Sequence, residues 1–266
     1  MMKQKIRIRI ADPAGNITIF VLDHFERSQY QKIATQLLAM EEFHAEQVAF
    51  IKNDDTMEMC GLEFCGNASR SFALICAQNR GISGRAVMTV NVSGSSEPLR
   101  VSIDTDTNYT RIKMPAPLSV TSISGCPLEC VNGSVLVDLG GISHVVLHNI
   151  TGTKETFDVI RNFINREFDP PAMGVMFYND EDSSLVPVVY VKDVDTTYFE
   201  GSCGSGSTAV AVALSIGMAD GTHSFDFTQP AGDITATAEI VDGSLAAVYI
   251  EGPVSISDPV SVEVDL

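Results

Sequence analysis

Two short runs constrain this chain more than any other feature. Cys65-Gly66-Asn67-Ala68-Ser69 and Cys203-Gly204-Ser205-Gly206-Ser207 each set one cysteine just before small residues and a predicted helix. A glutamate precedes each, at Glu63 and Glu200, and the spacing behind them agrees: Gly94 lies 29 residues after Cys65, and Gly232 lies 29 after Cys203. A matched pair of this kind predicts two similar halves, each delivering one thiol to a shared cleft. Small residues let the backbone N–H groups of a helix start face a ligand, which suits a carboxylate, and the same partial positive charge favours thiolate over thiol.

At 266 residues and 45% hydrophobic content the chain can build one large domain or two of ordinary size, which excludes disorder. The formal charge of -17 is spread along the sequence without a basic cluster, so nucleic acid and anionic membrane are unfavourable partners and a small molecule is the expected one. Neither a charged-then-apolar leader at Met1 to Ile10 nor an apolar stretch of membrane-spanning length is evident, and the expectation is a cytoplasmic protein with reduced thiols. Cys60 and Cys76 stand among apolar residues and read as small buried hydrophobes. Cys126, Cys130, His144 and His148 loosely match a zinc pattern, yet Gly140-Gly141 and the β-branched pair Val145-Val146 read as turn then strand where a finger needs a helix. No metal is expected there. His144 is read as a structural hydrogen-bonding group, and His24, His44 and His223 show no ligand spacing.

Ile6 to Ile10 alternates as a strand, turns at Asp12 to Asn16 and returns as Ile17 to Leu22. A helix capped by Ser28 is predicted to run to about Met40, another from Asn67 to Gln78, and strands at Gln47 to Ile51 and Val87 to Val90. The second half restarts at Ser134 to Asp138 and Val145 to Leu147. It continues with a helix from Lys154 to Phe168, strands at Gly174 to Tyr178 and Val186 to Val191, and an apolar helix from Ser207 to Met218. Strands at Leu245 to Ile250 and Val260 to Val264 close the chain, and Met114 to Pro117 is the candidate linker. The expected fold is α+β with two pseudo-repeated halves, 1–116 carrying Cys65 and 117–255 carrying Cys203, each a curved sheet or barrel around a central helix; the last strand, about 256–266, is free to return to the first half.

Two thiols across a cleft suit a stereo-inverting proton transfer, in which a base removes the α-proton from one face and an acid returns one to the other. These residues resemble the diaminopimelate epimerase superfamily, and the resemblance extends to Gly15-Asn16, Glu46-Gln47-Val48 and Gln229-Pro230-Ala231-Gly232. It implies the diaminopimelate epimerase-like fold, an active site in the cleft between the halves, no cofactor, and a homodimer. It further implies that Cys65 and Cys203 are the acid/base pair, that Gly66, Asn67, Gly204 and Ser205 hold the α-carboxylate, and that Asn16 and Gln47 line the substrate site.

Departures narrow the substrate. Where diaminopimelate epimerases carry an asparagine turn and an arginine for the far end of their substrate, this chain has Gly141-Ile142-Ser143-His144 and Asp195, and Thr56 stands at the count of a further asparagine, which Asn53 would restore through a small insertion. The sequence is most similar to the histidine racemases of opine-type metallophore synthesis, through Pro13 to Ile19, Glu46 to Ile51, Glu63 to Ala68 and Glu200 to Gly206. Glu46 and Glu200 either accept a hydrogen bond from an imidazole N–H or are solvated groups capping nearby backbone. The expected activity is amino-acid racemisation, with histidine as substrate. The alternatives are a racemase or epimerase of the proline, hydroxyproline or diaminopimelate type, and a non-catalytic binding protein for small acids.

Overall fold

A computed structural model describes residues 3–266. The chain divides into two compact units, Met1–Lys113 with Glu251–Leu266, and Met114–Ile250. Both are α+β, with large mixed sheets and few helices. No helix among the described residues is long and apolar enough to cross a membrane.

The first unit contains β1 (Lys3–Asp12), β2 (Thr18–Val21), α1 (Arg27–Leu38), β3 (Gln47–Asn53), β4 (Thr56–Met59), α2 (Gly66–Asn79), β5 (Arg85–Val92), β6 (Leu99–Asp104) and β7 (Tyr109–Lys113). Its strands run in the order β7-β6-β5-β4-β3-β2-β1. The β2–β3 and β4–β5 pairs are parallel and the others antiparallel. The β1–β2 hairpin turns through Ala14 and Gly15, both at positive φ. Helix α1 lays Tyr30, Ile33, Ala34 and Leu37 on Ile6, Ile8, Ile19, Val21, Val48 and Phe50. It starts earlier than expected: Glu26, not Ser28, is the N-cap, and its side chain and that of Gln29 form a reciprocal capping box.

Helix α2 is buried from Gly66 through Ala77 and packs against β5, β6 and β7. A helix carrying four polar side chains over this stretch, Asn67, Ser69, Arg70 and Ser71, can be buried this way in part because Ser69 Oγ donates to the Cys65 carbonyl at 2.6 Å and Ser71 Oγ to that of Asn67 at 2.8 Å, satisfying the hydroxyls internally.

The second unit contains β8 (Ser119–Ser122), β9 (Val135–Asp138), β10 (Ser143–His148), α3 (Lys154–Glu167), β11 (Ala172–Tyr178), β12 (Leu185–Val191), β13 (Thr196–Phe199), α4 (Gly204–Ser215), β14 (Gly221–Gln229) and β15 (Gly232–Val241). β16 (Ser244–Pro253) leads out of it to β17 (Ser255–Ile256) and β18 (Val260–Asp265), which both pair with β1. One sheet has the order β13-β12-β11-β10-β9-β8, with only β10–β11 parallel. His144 and His148 do fall on a strand. Helix α3 covers this sheet through Phe157, Ile160, Phe163 and Ile164. Helix α4 packs against β9, β10, β11, β14 and β15 and begins three residues before the expected Ser207, because Cys203 itself is the cap. It stops at Ser215 rather than Met218, where Ile216 turns extended and Gly217 takes φ 77°.

Candidate functional site

Cys65 and Cys203 occupy the same local geometry, each within its own unit. Cys65 is the N-cap of α2 with φ -132° and ψ 114°; Cys203 is the N-cap of α4 with φ -133° and ψ 110°. Both backbones are extended at the cap, so each Sγ folds over its own helix start and accepts a backbone N–H, from Ala68 at 3.4 Å and from Gly206 at 3.3 Å. In both, the serine four residues on, Ser69 or Ser207, returns its hydroxyl to the cysteine carbonyl. The N–H groups and helix dipole favour negative charge on sulfur or on an anion beside it.

Around Cys65 the first unit gathers the residues expected of it. The parallel register of β2 and β3 sets Thr18 beside Gln47. The Gln47 amide N–H2 faces Thr18 Oγ1 at 3.0 Å, Asn16 Oδ1 at 2.7 Å and Cys65 Sγ at 3.4 Å. Asn67 donates to the same Asn16 oxygen at 3.3 Å, and Asn16 donates to the Glu46 carboxylate at 2.6 Å. Gly66 is buried at the first helical position. The approach to Cys65 is clamped: Ser93 Oγ accepts from Met59 N–H and donates to the Glu63 carbonyl, both at 2.9 Å. Gly94 presses so closely on this segment that a Cβ there would lie 2.2 Å from Phe64 N.

Around Cys203 the second unit gathers Glu200, Gly204 and Ser205. Burial first, and then the nearby Glu200 carboxylate, push the Cys203 thiol well above its ordinary range, while Ser205 and the Gly206 N–H oppose the shift. Cys203 therefore rests as S–H, hydrogen-bonded toward Glu200. Ser205 Oγ stands 3.4 Å from Cys203 Sγ and 2.9 Å from His144 Nε2. His144 is fully buried, which lowers it to about 3 and keeps it neutral. Its Nδ1 has no partner and faces Gly174, where a Cβ would come within 2.3 Å. An unpaired lone pair costs less than an unpaired N–H, so the proton belongs on Nε2 and Ser205 Oγ accepts it.

Two residues complete these shells without having been singled out for a role in the sequence. Gln229 accepts the Cys203 N–H at 2.9 Å and donates to Ser207 Oγ at 3.0 Å, holding the second motif as Ser93 and Gly94 hold the first. Arg70, one helical turn beyond Asn67, donates to the Asn67 oxygen at 3.1 Å. The paired glutamates turn out to be unequal. Glu63 is raised by burial and its carboxylate turns back to the N–H groups of Gly61 and Glu63, whereas Glu200 addresses the thiol. Among the remaining thiols, Cys76 and Cys126 are buried, Cys60 is half-buried and Cys130 exposed.

The family model described as the histidine racemase CntK N-terminal domain matches residues 5–259. A histidine racemase of Fusobacterium nucleatum subsp. nucleatum is 35% identical over 257 residues, covering 92% of each chain. One of Staphylococcus aureus strain Mu50 is 27% identical over 256 residues, covering 90% of each. In fold, the chain is similar to a hydroxyproline epimerase of Agrobacterium vitis crystallised with trans-4-hydroxy-L-proline. The TM-score is 0.65 at 13% identity, over 99% of this chain and 92% of that one.

Proposed function

The chain belongs to the histidine racemase family, and from that premise we propose that this isomerase interconverts L- and D-histidine through a two-thiol mechanism. The observation that carries the reading is the matched geometry of Cys65 and Cys203 at two helix starts. Racemisation needs a base on one face of Cα and an acid on the other, and the reading gives one role to each thiol. Cys203, held as S–H beside Glu200, is the acid in the first half-turnover; Cys65, facing the Gln47 and Ala68 N–H groups, is the base. The roles then reverse for the opposite enantiomer.

Backbone N–H groups at Gly66, Asn67, Gly204 and Ser205 are suited to hold the α-carboxylate, where negative charge grows as the carbanion forms. Asn16 and Gln47 line the site, and Glu46 and Glu200 supply acceptors for an imidazole N–H. The chemistry is complete with these groups and calls on no cofactor. The finer architecture in this reading is the diaminopimelate epimerase-like one, with two pseudo-repeated halves. The acidic charge favours a small zwitterionic substrate over polyanionic partners.

The test is incubation of the reduced protein with L-histidine and a panel of other L-amino acids in deuterated water, with α-proton loss followed by NMR and D-product by chiral chromatography. Exchange accompanied by D-histidine is the expected result. Exchange with a different amino acid alone would keep the mechanism and discard histidine, and no exchange across the panel would leave a binding protein.

A further inference from the structure

Arg70 is the largest fully buried side chain among the described residues, at 0% exposure. Its Nε donates to Asn67 Oδ1 at 3.1 Å, and Nη1 to Thr110 Oγ1 at 3.1 Å and the Gly252 carbonyl at 2.9 Å. All three acceptors are neutral, and Nη2 has no partner. A guanidinium cannot relieve its burial by losing the proton as a lysine can. Burial lowers it to about 10, which still leaves it charged near neutrality; the groups that oppose this are, in order, Cys65, Tyr109 and Asp12. The interior of the first unit thus holds a cation without a carboxylate in contact, and the thiol of the first motif is the foremost group able to balance it.

The same side chain fixes the hydrogen-bond direction of the site. Because Asn67 Oδ1 accepts from Arg70, the Asn67 N–H2 must point the other way, to Asn16 Oδ1. That oxygen also accepts from Gln47, which leaves the Asn16 N–H2 for Glu46. One buried guanidinium thus orients the Asn67 and Asn16 amides out to the Glu46 carboxylate.

We propose that Arg70 is the positioning residue of the first motif: its buried charge holds Cys65 as the thiolate in the resting protein, and its Nε–H locks the Asn67 amide with its donors toward Asn16 at the substrate site. The second motif has the opposite arrangement, since the Glu200 carboxylate addresses Cys203. Gln47 and the Ala68 N–H are among the groups that face Cys65, and Tyr109 and Asp12 among those near its cation, while the Glu63 carboxylate is turned back on its own loop. The inference rests on the racemase reading for the substrate-facing role alone; the state of the thiol is measurable without turnover.

The experiment is carbamidomethylation by iodoacetamide across about pH 5 to 10, with each cysteine quantified by peptide mass spectrometry. In the wild type Cys65 is expected to react with a midpoint below the ordinary thiol value of about 8.5, and a midpoint at or above it would overturn the proposal whatever any variant does. Arg70→Met is expected to slow Cys65 about tenfold or more near neutrality while Cys203 keeps its rate; unchanged Cys65 reactivity in the folded variant would also overturn it. Arg70→Lys loses the fork and, buried, can shed its proton, so Cys65 is expected to react at a rate between those of the wild type and the methionine variant while KM for histidine rises. A reactive Cys65 in a protein that exchanges no α-proton would sink the racemase reading and leave the hold of Arg70 on the thiol standing.

Discussion

Cys65 and Cys203 are alike in backbone but not in electrostatics, and each should be indispensable. Cys65→Ser and Cys203→Ser each replace a thiol by a hydroxyl too weakly acidic for the same proton transfer, so racemisation is expected to fall by about a hundredfold or more in either variant. Chiral chromatography after prolonged incubation measures it, and wild-type activity in either single variant would remove the two-thiol mechanism. His144 makes a separate prediction through stability. Its folded value of about 3 lies below the ordinary 6.5, so the unfolded chain binds the extra proton first as pH falls. Its contribution to stability is therefore complete above about pH 6.5 and declines below it, by on the order of 2 to 3 kcal/mol at about pH 4.5. Urea unfolding of the wild type and His144→Asn across that range should show the variant less stable at neutrality but with a shallower decline. Parallel declines would mean that the imidazole is not buried neutral.

Helix α2 and its approach show why one glycine outweighs others. Gly94 combines φ 72° with a Cβ position 2.2 Å from Phe64 N and 2.7 Å from the Glu63 carbonyl carbon, and backbone atoms cannot swing aside as a side-chain tip can. Gly94→Ala is expected to cost about 2 kcal/mol, lowering the thermal midpoint by about 4 to 8 °C, and to cut turnover more than tenfold by displacing Cys65. Gly125→Ala supplies the contrast: φ is 77° but nothing lies within 4 Å, so only the left-handed backbone is charged, about 1 kcal/mol, with turnover intact. Calorimetry and the exchange assay on both variants decide it; equal turnover would show that Gly94 does not position the thiol.

Much at this level was legible beforehand. The helix expected over Asn67 to Gln78 and the strand read from alternation at Ile6 to Ile10 are both found, because hydrophobic periodicity is local. What periodicity could not show is long-range or unpatterned. β8, Ser119–Ser122, is exposed at every position and carries no alternating signal. The Asn16–Gln47–Asn67 network depends on β2 and β3 pairing in parallel, and one sequence does not contain that register. Arg70 was given no reading from the sequence, since burial of a cation leaves no local mark. Gln229 was visible only as part of a similar segment, and its grip on the Cys203 N–H required the second unit's fold.

Taken together the charges work against the folded state. Thirty-four acidic residues face 17 lysines and arginines, and many of those cations are already committed to pairs such as Arg7–Asp23, Arg27–Glu58, Lys154–Asp158 and Arg166–Glu167. Such exposed pairs contribute about 0 to 1 kcal/mol each, so screening them costs little. The uncompensated carboxylates repel one another over longer distances, and salt reaches that term readily because the Debye length falls from about 10 Å at 0.1 M to about 3 Å at 1 M. The thermal midpoint near neutral pH is therefore expected to rise with sodium chloride, by about 2 to 4 °C for each kcal/mol of repulsion removed. Chloride is the informative salt, since sulfate would also strengthen apolar burial. Scanning calorimetry from low salt to about 0.5 M decides the sign. A midpoint that falls would mean that the surface pairs outweigh the acidic excess, contrary to the charge balance. Acid should act on the same balance from both sides: protonating carboxylates relieves the repulsion while His144 draws stability down. The salt response should accordingly shrink below about pH 5, where the net charge is smaller, and the His144→Asn variant should retain that shrinkage because it alters the proton linkage of one buried ring and not the acidic surface.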